Sequence, residues 1–348
     1  MSTASPCGGT PPAEVSPDRT GAGRSVLVTG ASSGIGWHAA RGLAERGVRV
    51  LLGSRDPGRG RRAADALAAA VPGADVRVVR LDLADLGSVV AAAQEVASSG
   101  PLHGLLANGG LTGTSGRRTS AQGSELMLAT NHLGHAALVA LLLPSLAEGG
   151  RAQVSAGAGP ARVVGAGSIA HRFVRPPADV DGWQSRRGFV SFRAYSRSKL
   201  AVLLHTAELD RRLVAAGAPV RALAFHPGYA VDVLDDVRPQ TDRDGRDDVT
   251  HATRAGARVL ARAGLLQGKA GGARPAVAAV LGPSALDGAR EGVPAYVGPT
   301  GPAELAGGPA LVRPARTVAD RAAAQRLWVL TQDLVGDATG VPLGPSPG

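Results

Sequence analysis

Short apolar runs alternate along this chain with longer stretches in which apolar residues recur every three or four positions. Uninterrupted apolar runs are typical of buried strands, whereas the longer period is typical of helices packed on one face. The apolar runs predict strands over residues 25–29, 49–54, 76–81, 102–107, 162–166 and 220–225. The periodic stretches predict helices over residues 34–46, 59–71, 86–98, 125–146 and 192–215.

Strands that alternate with helices predict a parallel sheet covered by helices on both faces. We therefore expect the α/β class, with a single Rossmann-type doubly wound sheet formed by one domain over residues 24–340. Weaker patterns near the end of the chain are assigned to the same domain. They predict a helix over 273–281, a strand over 294–298 and a last helix over 320–335.

Three segments interrupt the alternation. Residues 1–23 are rich in Pro, Ser, Thr and Gly, residues 148–160 in Gly and Ala, and residues 238–248 in Asp and Arg. Such segments bury too little apolar surface to offset the loss of chain entropy on folding. We expect a disordered N-terminal tail over the first segment and flexible loops over the other two.

Three glycines stand between the first predicted strand and the first predicted helix. Gly30, Gly34 and Gly36 form a TGxxxGxG spacing within residues 29–36. Glycines at such a turn let the backbone approach a pyrophosphate closely, and the following helix offers free N–H groups at its N-terminus. This position favours a dinucleotide-binding loop over the alternative, a tight turn without a ligand.

The ends of the second and third strands carry residues that would contact the adenosine half of a dinucleotide. Arg55 follows the second strand, where its guanidinium would pair with the 2′-phosphate of NADP. The neighbouring Asp56 would instead accept the ribose hydroxyls of NAD, so we favour NADP and keep NAD as the alternative. Asp82 ends the third strand, where it either accepts from the adenine amino group or serves only to begin a helix.

Tyr195 and Lys199 lie four residues apart in the helix predicted over 192–215, which places a phenol and an ammonium on one helix face. A free tyrosine titrates near about pH 10, and a neighbouring positive charge lowers its pKa. The pair is therefore typical of proton transfer to or from a substrate oxygen. Together with a dinucleotide-binding loop, it predicts hydride transfer to or from a carbonyl.

Composition narrows the classes of partner. The net charge of +10 comes mostly from scattered arginines, and aromatic residues make up only 3% of the chain, which argues against nucleic-acid binding. The single cysteine excludes an internal disulfide, and the eight histidines show no zinc-binding spacing, so we expect no metal site. No apolar run reaches the roughly 18 residues that a membrane span needs. We expect a cytoplasmic protein with a small-molecule substrate and no membrane contact, and leave homo-oligomer formation open.

Seven motifs follow one another in a fixed order along the chain. They are TGASSGIG (29–36), LDLADL (81–86), ANGG (107–110), TNHLGH (130–135), RVVGAGSIAH (162–171), YSRSKLA (195–201) and HPGYA (226–230). In these motifs the chain resembles the short-chain dehydrogenase/reductase family, and more narrowly its retinol-dehydrogenase-like and protochlorophyllide-reductase-like branch. The resemblance covers residues 24–235 and continues more weakly to the final helix. It is specific for the family and not for a substrate.

The resemblance implies a catalytic tetrad. Tyr195 would be the general acid in reduction and the general base in oxidation, and Lys199 would lower its pKa and hold the nicotinamide ribose. Ser168 would hydrogen-bond the substrate oxygen, and Asn131 would support a water-linked proton path to Lys199. The cofactor-binding positions that we expect are Gly30, Ser32, Ser33, Gly34, Ile35, Gly36, Arg55, Asp82, Leu83, Asn108, Gly109, Pro227 and Gly228, together with Tyr195 and Lys199.

The chain departs from the family pattern at several positions. Ala107 stands where an Asn that ties neighbouring strands is usual, and Gly109 replaces an Ala. Gly167 stands where a second Ser often precedes the catalytic one. Asp232 replaces a Thr that contacts the cofactor, and an acidic group near a pyrophosphate is repulsive.

These departures leave a second hypothesis of another class. The protein would then be a cofactor-binding regulatory protein that keeps the fold and turns over little or no substrate. Because Tyr195 and Lys199 are both retained, the sequence favours the NADP-dependent oxidoreductase.

Overall fold

Strands and helices alternate through most of the chain, of which the computed structural model describes residues 21–184, 187–231, 234, 251–287 and 293–345. The first half contains β1 (Ser25–Thr29), α1 (Gly34–Ala44), β2 (Arg49–Ser54), α2 (Pro57–Ala70), β3 (Val76–Arg80), α3 (Leu86–Ala97), β4 (Gly104–Ala107), the short α4 (Leu126–Leu128) and α5 (Gly134–Ser155). The second half contains β5 (Ala161–Ala166), α6 (Ser191–Ala215), β6 (Val220–Phe225), β7 (Ala230–Val231), α7 (His251–Arg262), β8 (Gln267–Gly268), α8 (Lys269–Leu281), β9 (Tyr296–Pro299), β10 (Pro309–Leu311) and α9 (Arg321–Thr339).

Eight of these strands form one sheet in the order β10-β9-β6-β5-β4-β1-β2-β3. Its pairings are parallel except that between β10 and β9. Aliphatic side chains of α3, α5, α6 and α9 cover one face, and those of α1, α2 and α8 cover the other. The predicted α/β doubly wound fold is confirmed, and β9 and β10 join the same sheet as the N-terminal strands.

The order of the strands reverses next to β1, because β2 lies on one side of β1 and β4 on the other. In doubly wound sheets the loops diverge at such a point and leave a crevice at the carboxyl ends of the strands. The loops after β1, β4 and β5 all leave from this edge, since those strands are parallel. The fold therefore brings the glycine loop and Ser168 to one edge of the sheet.

The region after β4 differs from the sequence prediction. The single helix predicted over 125–146 is divided into α4, a wider π-helical turn over Ala129–Leu133, and α5, which runs on to Ser155. The flexible loop predicted over 148–160 is therefore wrong for its first eight residues. A Cβ atom on Gly149 or Gly150 would overlap a backbone carbonyl oxygen of a neighbouring segment, so these glycines permit close packing of α5 rather than flexibility.

The ends of the predicted domain also differ slightly. The Gly21 N–H donates to the Arg46 carbonyl oxygen at 2.8 Å, so the last residues of the tail predicted over 1–23 are attached to the domain. At the other end, Leu343 is fully buried beyond the predicted boundary at residue 340. The rest of that tail and the loop predicted over 238–248 lie outside the described residues.

One helical stretch, Leu126–Ser155, is long and apolar enough to cross a membrane when judged by length and composition alone. Its most apolar window has a mean hydropathy of 1.6, and 78% of that window is buried inside the protein. Core helices of soluble proteins pass the same test, so the stretch is weak evidence for a membrane span.

A buried arginine connects the sheet to the end of α8. Arg162 in β5 is only 1% exposed, and its guanidinium pairs with the Asp287 carboxylate at 2.7 Å. It also donates to the carbonyl oxygens of Ala279, Gly282 and Pro283 at 2.9–3.1 Å. A cation near the C-terminus of a helix also interacts favourably with the helix dipole. This single side chain thus satisfies the carbonyl groups where α8 ends.

Arg162→Met should lower the free energy of unfolding by about 3 kcal/mol or more, because it removes an ion pair with Asp287 and three hydrogen bonds to carbonyl oxygens in a buried place. Arg77→Met is the matched control, since Arg77 pairs with Glu95 at 3.1 Å where both side chains are about 40% exposed. It should cost less than about 1 kcal/mol. Urea denaturation of both variants measures the two losses, and equal small losses would contradict the role of Arg162.

Candidate active site and cofactor cleft

The glycine loop turns sharply between β1 and α1. Gly30 and Gly34 have φ angles of 63° and 59°, in the left-handed region that favours glycine. Gly36 is required for another reason, since a Cβ atom there would lie 2.6 Å from the Asn108 side-chain nitrogen. Ser33 precedes α1 without a side-chain capping bond. Its side chain therefore leaves the first-turn N–H groups of α1 to an anionic ligand.

A cleft of about 820 Å³ opens beside the glycine loop at the carboxyl edge of the sheet. The predicted cofactor-binding residues in its walls are Gly30, Ser32, Arg55, Asp82, Leu83 and Gly109. Its volume suits a dinucleotide portion, since ligand sites typically measure about 300–1,000 Å³. The other residues predicted in the loop are Ser33, Gly34, Ile35 and Gly36, which form the adjoining turn and the start of α1.

Asn108 has a structural part in this arrangement. Its backbone N–H donates to Thr29 Oγ1 at 2.9 Å, and its side-chain amide donates to the Thr29 carbonyl oxygen at 3.1 Å. These bonds join the end of β4 to the end of β1. Asn108 therefore joins the ends of the two strands whose following loops form walls of the cleft.

Arg55 and Asp56 differ in what their side chains do. Arg55 is exposed and lines the cleft. The Asp56 carboxylate accepts a hydrogen bond from the Arg59 N–H at 2.8 Å and so caps α2. This backbone hydrogen bond lowers the pKa of Asp56. One of the two oxygens that would receive the ribose hydroxyls of NAD is thus engaged in capping.

Asp82 does not cap a helix, since Asp85 caps α3, and its predicted contact with the adenine amino group stays a prediction. It lines the cleft, and one of its carboxylate oxygens accepts from the Ala84 N–H at 3.0 Å. Sequence reasoning missed two further arginines in the walls, Arg80 and Arg118. The position of Arg80 at the end of the third strand is a signal that could have found it. With Arg55 and Arg59, these arginines outnumber the two carboxylates in the walls, Asp56 and Asp82, so the cleft carries a net positive charge.

Tyr195 and Lys199 share one face of α6, as the spacing predicted. The Lys199 ammonium lies 5.9 Å from the centre of the Tyr195 ring. Lys199 is 6% exposed and donates to the Ala166 carbonyl oxygen at 2.8 Å. The end of β5 and α6 together therefore hold the lysine behind the tyrosine.

The proton affinities of this pair follow from burial. Burial raises the pKa of Tyr195, while hydrogen bonding with the Ser168 side chain acts in the opposite direction. Burial also lowers the pKa of Lys199 to about 8. The pKa of Tyr195 is thus shifted upward, opposite to the lowering expected from Lys199, and desolvation is the largest cause.

Asn131 lies in the π-helical turn and is almost fully buried. Its side-chain oxygen accepts from the Leu111 N–H at 2.7 Å, and its amide donates to the Leu111 carbonyl oxygen at 3.0 Å and to Ser198 Oγ at 2.8 Å. The side chain thus joins the loop after β4 to α6, next to Lys199. This interaction explains the position of Asn131 and leaves its backbone carbonyl for other partners.

Ser168 directly follows the Gly167 that departs from the family pattern. Its hydroxyl accepts from the Ala170 N–H at 3.2 Å. A Cβ atom on Gly167 would lie 2.8 Å from the hydroxyl oxygen of Tyr296, a fully buried residue of β9. The phenol of Tyr296 therefore occupies the space that a second serine would need. Sequence reasoning missed Tyr296, because only the pairing of β9 with β6 brings it here.

Pro227 and Gly228 form the turn after β6. Gly228 has a φ of 65°, and a Cβ atom there would overlap the Leu305 carbonyl oxygen. The same oxygen accepts from the Tyr229 N–H at 2.7 Å, and Gln267 donates to the Pro227 carbonyl oxygen at 2.8 Å. The turn is fixed from two sides. Asp232, the departure that follows it, lies outside the described residues.

A cluster of ionisable groups lies beneath this turn. His226 is fully buried, and its Nε2 lies 3.1 Å from a Glu304 carboxylate oxygen that also pairs with Arg172 at 2.8 Å. His171 accepts from the Ala315 N–H at 2.9 Å, and burial lowers its pKa to about 4. Sequence reasoning did not assign these side chains. The two histidines stand in the motifs RVVGAGSIAH and HPGYA, which is the signal that could have found them.

The predicted absence of a metal site remains a prediction. In the part of the chain that the structure describes, no group of three or more His, Cys, Asp or Glu side chains is arranged to hold a metal ion.

Comparison with known proteins identifies relatives of this chain. A family model for short chain dehydrogenases matches residues 24–166. Retinol dehydrogenase 12 of Mus musculus is 40% identical over 213 residues, which are 61% of this chain and 63% of the relative. Short-chain dehydrogenase/reductase drtF of Aspergillus calidoustus is 36% identical over 60% of this chain and 68% of the relative. The chain thus spans less than two thirds of the length of the retinol dehydrogenase.

Solved structures share the fold. An uncharacterized protein from Mycobacterium paratuberculosis matches with a TM-score of 0.68 and 33% identity over 94% of this chain and 97% of its own. Pseudomonas aeruginosa RhlG, solved with NADP, matches with a TM-score of 0.50 and 28% identity over 62% and 76% of the two chains. A Burkholderia phymatum short chain dehydrogenase/reductase, solved with NAD, matches with a TM-score of 0.52 and 27% identity over 74% and 85%.

Lys199→Met should remove a pH dependence of stability. Burial lowers the pKa of Lys199 from 10.5 to about 8, so the folded protein binds fewer protons than the unfolded chain between these values. The free energy of unfolding should therefore rise with pH in this window, by about 2 kcal/mol more in the wild type than in Lys199→Met. Denaturation curves of both proteins from pH 7.5 to pH 10 test this. Parallel curves would mean that Lys199 keeps its ordinary pKa.

Proposed function

Because the chain belongs to the short-chain dehydrogenase/reductase family, we propose that it is an NADP-dependent oxidoreductase that transfers a hydride between nicotinamide and a carbonyl or alcohol substrate. One observation carries the proposal. The glycine-loop cleft and the group of Ser168, Tyr195 and Lys199 lie at the same edge of the sheet, where the loops after β1 and β5 leave it.

The side chains of this group suit acid/base chemistry on a substrate oxygen. NADPH, when bound, supplies the hydride. Tyr195, whose pKa is raised by burial, stays protonated at neutral pH and so has a proton to give to the oxygen as the hydride arrives. Ser168 would hydrogen-bond the same oxygen. Lys199 lies behind the ring and would stabilise the phenolate that proton transfer leaves.

Two features support NADP over NAD. Arg55 lines the cleft at the end of β2, where a 2′-phosphate would lie. Asp56, the residue that would favour NAD, uses its carboxylate to cap α2. The relatives with bound cofactors include one with NADP and one with NAD, so the preference rests on these residues of the chain.

The assay that tests the proposal follows the loss of NADPH absorbance with purified protein and a panel of aldehydes and ketones. Turnover of at least one substrate is expected, with NADPH preferred to NADH. NADPH binding without turnover of any carbonyl would support the regulatory alternative instead. No binding of either cofactor would contradict the proposed function as a whole.

Tyr195→Phe should lower turnover by at least about 10²-fold, the low end for a general acid or base. NADPH affinity should stay close to that of the wild type, because the phenyl ring keeps its packing. Tyr229→Phe is the matched control, since this tyrosine is 56% exposed and its replacement should leave turnover unchanged. Steady-state rates and NADPH fluorescence titration provide the two measurements. Near-normal turnover of Tyr195→Phe would remove this residue from the mechanism.

Arg55→Ala should weaken NADPH binding by roughly 10- to 150-fold, the equivalent of losing a charge-assisted hydrogen bond of about 1.5–3 kcal/mol. NADH binding should change little, because NADH lacks the 2′-phosphate. Arg61→Ala controls for net charge, since Arg61 is exposed on α2 and is not among the residues that line the cleft. Titration of both cofactors against the three proteins is the test. Equal losses for NADPH and NADH in Arg55→Ala would mean that Arg55 supports the loop.

A further inference from the structure

A buried histidine lies between the glycine loop and the π-helical turn. His135, in the first turn of α5, is 6% exposed. Its Nε2 lies 2.8 Å from Thr29 Oγ1, and its Nδ1 lies 3.1 Å from the backbone carbonyl oxygen of Asn131. Both ring nitrogens therefore have partners, and these partners belong to the cofactor loop and to the predicted catalytic tetrad.

The partners determine which nitrogen carries the proton. A carbonyl oxygen only accepts, so Nδ1 must carry the hydrogen that it donates to Asn131. Burial lowers the pKa of His135 to about 4, so the ring is neutral and Nε2 is an acceptor. The Thr29 hydroxyl then donates to Nε2. The ring is thus a directional link from Thr29 to Asn131.

The bond between His135 and Thr29 affects how the glycine loop contacts the residues after β4. With its proton directed at His135, Thr29 Oγ1 accepts from the N–H groups of Asn108 and Gly109 at 2.9 and 2.8 Å. A Cβ atom on Gly30 would lie 2.6 Å from the Gly109 Cα. The orientation of one hydroxyl therefore holds the glycine loop against the end of β4.

The Asn131 end of the link lies beside Lys199. The Asn131 side chain is held by Leu111 and Ser198, so the bond from His135 restrains the backbone carbonyl of the same residue. Ala107, where the family pattern has an Asn that ties neighbouring strands, lines a small cavity together with His135. A polar side chain thus still joins neighbouring segments beside Ala107. It is His135 of α5 and not a residue of β4.

We propose that His135 is a positioning residue that couples the cofactor loop to the catalytic group, with Nε2 holding Thr29 and Nδ1 orienting the Asn131 carbonyl. The proposal rests on the proposed function, since it assigns effects on NADPH binding and on turnover to the two ring nitrogens. It predicts that the two effects separate when each nitrogen is replaced on its own.

Two amide substitutions replace one nitrogen each. In His135→Asn the side-chain amide reaches about as far as Nδ1 and can still donate to Asn131, but the bond to Thr29 is lost. In His135→Gln the amide oxygen reaches about as far as Nε2 and can still accept from Thr29, but the bond to Asn131 is lost. His135→Phe loses both bonds and keeps the volume of the ring.

The expected results follow from these losses. His135→Asn should raise the dissociation constant of NADPH about 3- to 10-fold, the range for one neutral hydrogen bond, with turnover at saturating NADPH near that of the wild type. His135→Gln should keep the NADPH affinity and lower turnover by a similar factor. His135→Phe should show both changes. NADPH titration and saturating-substrate rates are measured for each variant, together with its melting temperature.

His132 provides the matched control. It lies on the same helical stretch, is 2% exposed, and bonds to Thr331 Oγ1 at 2.7 Å, away from the cleft. His132→Asn and His132→Gln should lower the melting temperature without separating NADPH affinity from turnover. If the Asn and Gln variants of His135 behave like those of His132, His135 is only a packing residue and the proposal is wrong.

The two levels of proposal fail in different ways. If the wild-type protein binds no NADPH or reduces no carbonyl, the proposed function fails. In a second case, the wild type binds NADPH and turns over substrate, but His135→Asn and His135→Gln each change NADPH affinity and turnover together. Only the coupling role of His135 then fails.

Discussion

The close approach of the ends of β1 and β4 is the constraint on which the candidate site depends. The Thr29 hydroxyl oxygen accepts from two consecutive N–H groups beyond β4, and Gly30 and Gly109 meet without side chains between them. A side chain at either position would push the two loops apart. The cleft would then lose the narrow turn that brings backbone N–H groups to a pyrophosphate. The shape of the turn thus depends on a contact between backbones together with the Thr29 hydroxyl.

Dehydration is the second physical feature of the site. Lys199 is buried and donates to the Ala166 carbonyl oxygen, and desolvation lowers its pKa. Burial also raises the pKa of Tyr195. In such a low-dielectric place a charge that appears during reaction interacts strongly with its neighbours. Tyr195 therefore stays protonated and neutral at neutral pH, whereas Lys199, with a pKa of about 8, is still mainly cationic.

Elements with strong local patterns were predictable from the sequence. The strand over 220–225 has the predicted bounds, and α6 begins one residue before its prediction. The prediction failed where a glycine-rich sequence indicated a flexible loop but the glycines instead permit close packing of a helix. Gly149 and Gly150 looked flexible, because a sequence does not show the carbonyl oxygens against which α5 packs. The short β10 was also missed, since its three residues form a strand through antiparallel pairing with β9.

The sequence by itself determined which chemical groups are present and which of them share a local element. The helical period alone places Tyr195 and Lys199 on one face, and the strand-turn-helix pattern alone identifies the glycine loop. Only the tertiary structure decided that desolvation dominates the pKa of Tyr195, that Asp56 caps a helix, and that His135 bonds to a threonine 106 residues away. The physical reason is the distance along the chain over which each kind of interaction acts. Periodicity reports neighbours along one element, whereas burial and hydrogen bonding are set by residues that are distant in the chain and meet only when the sheet forms.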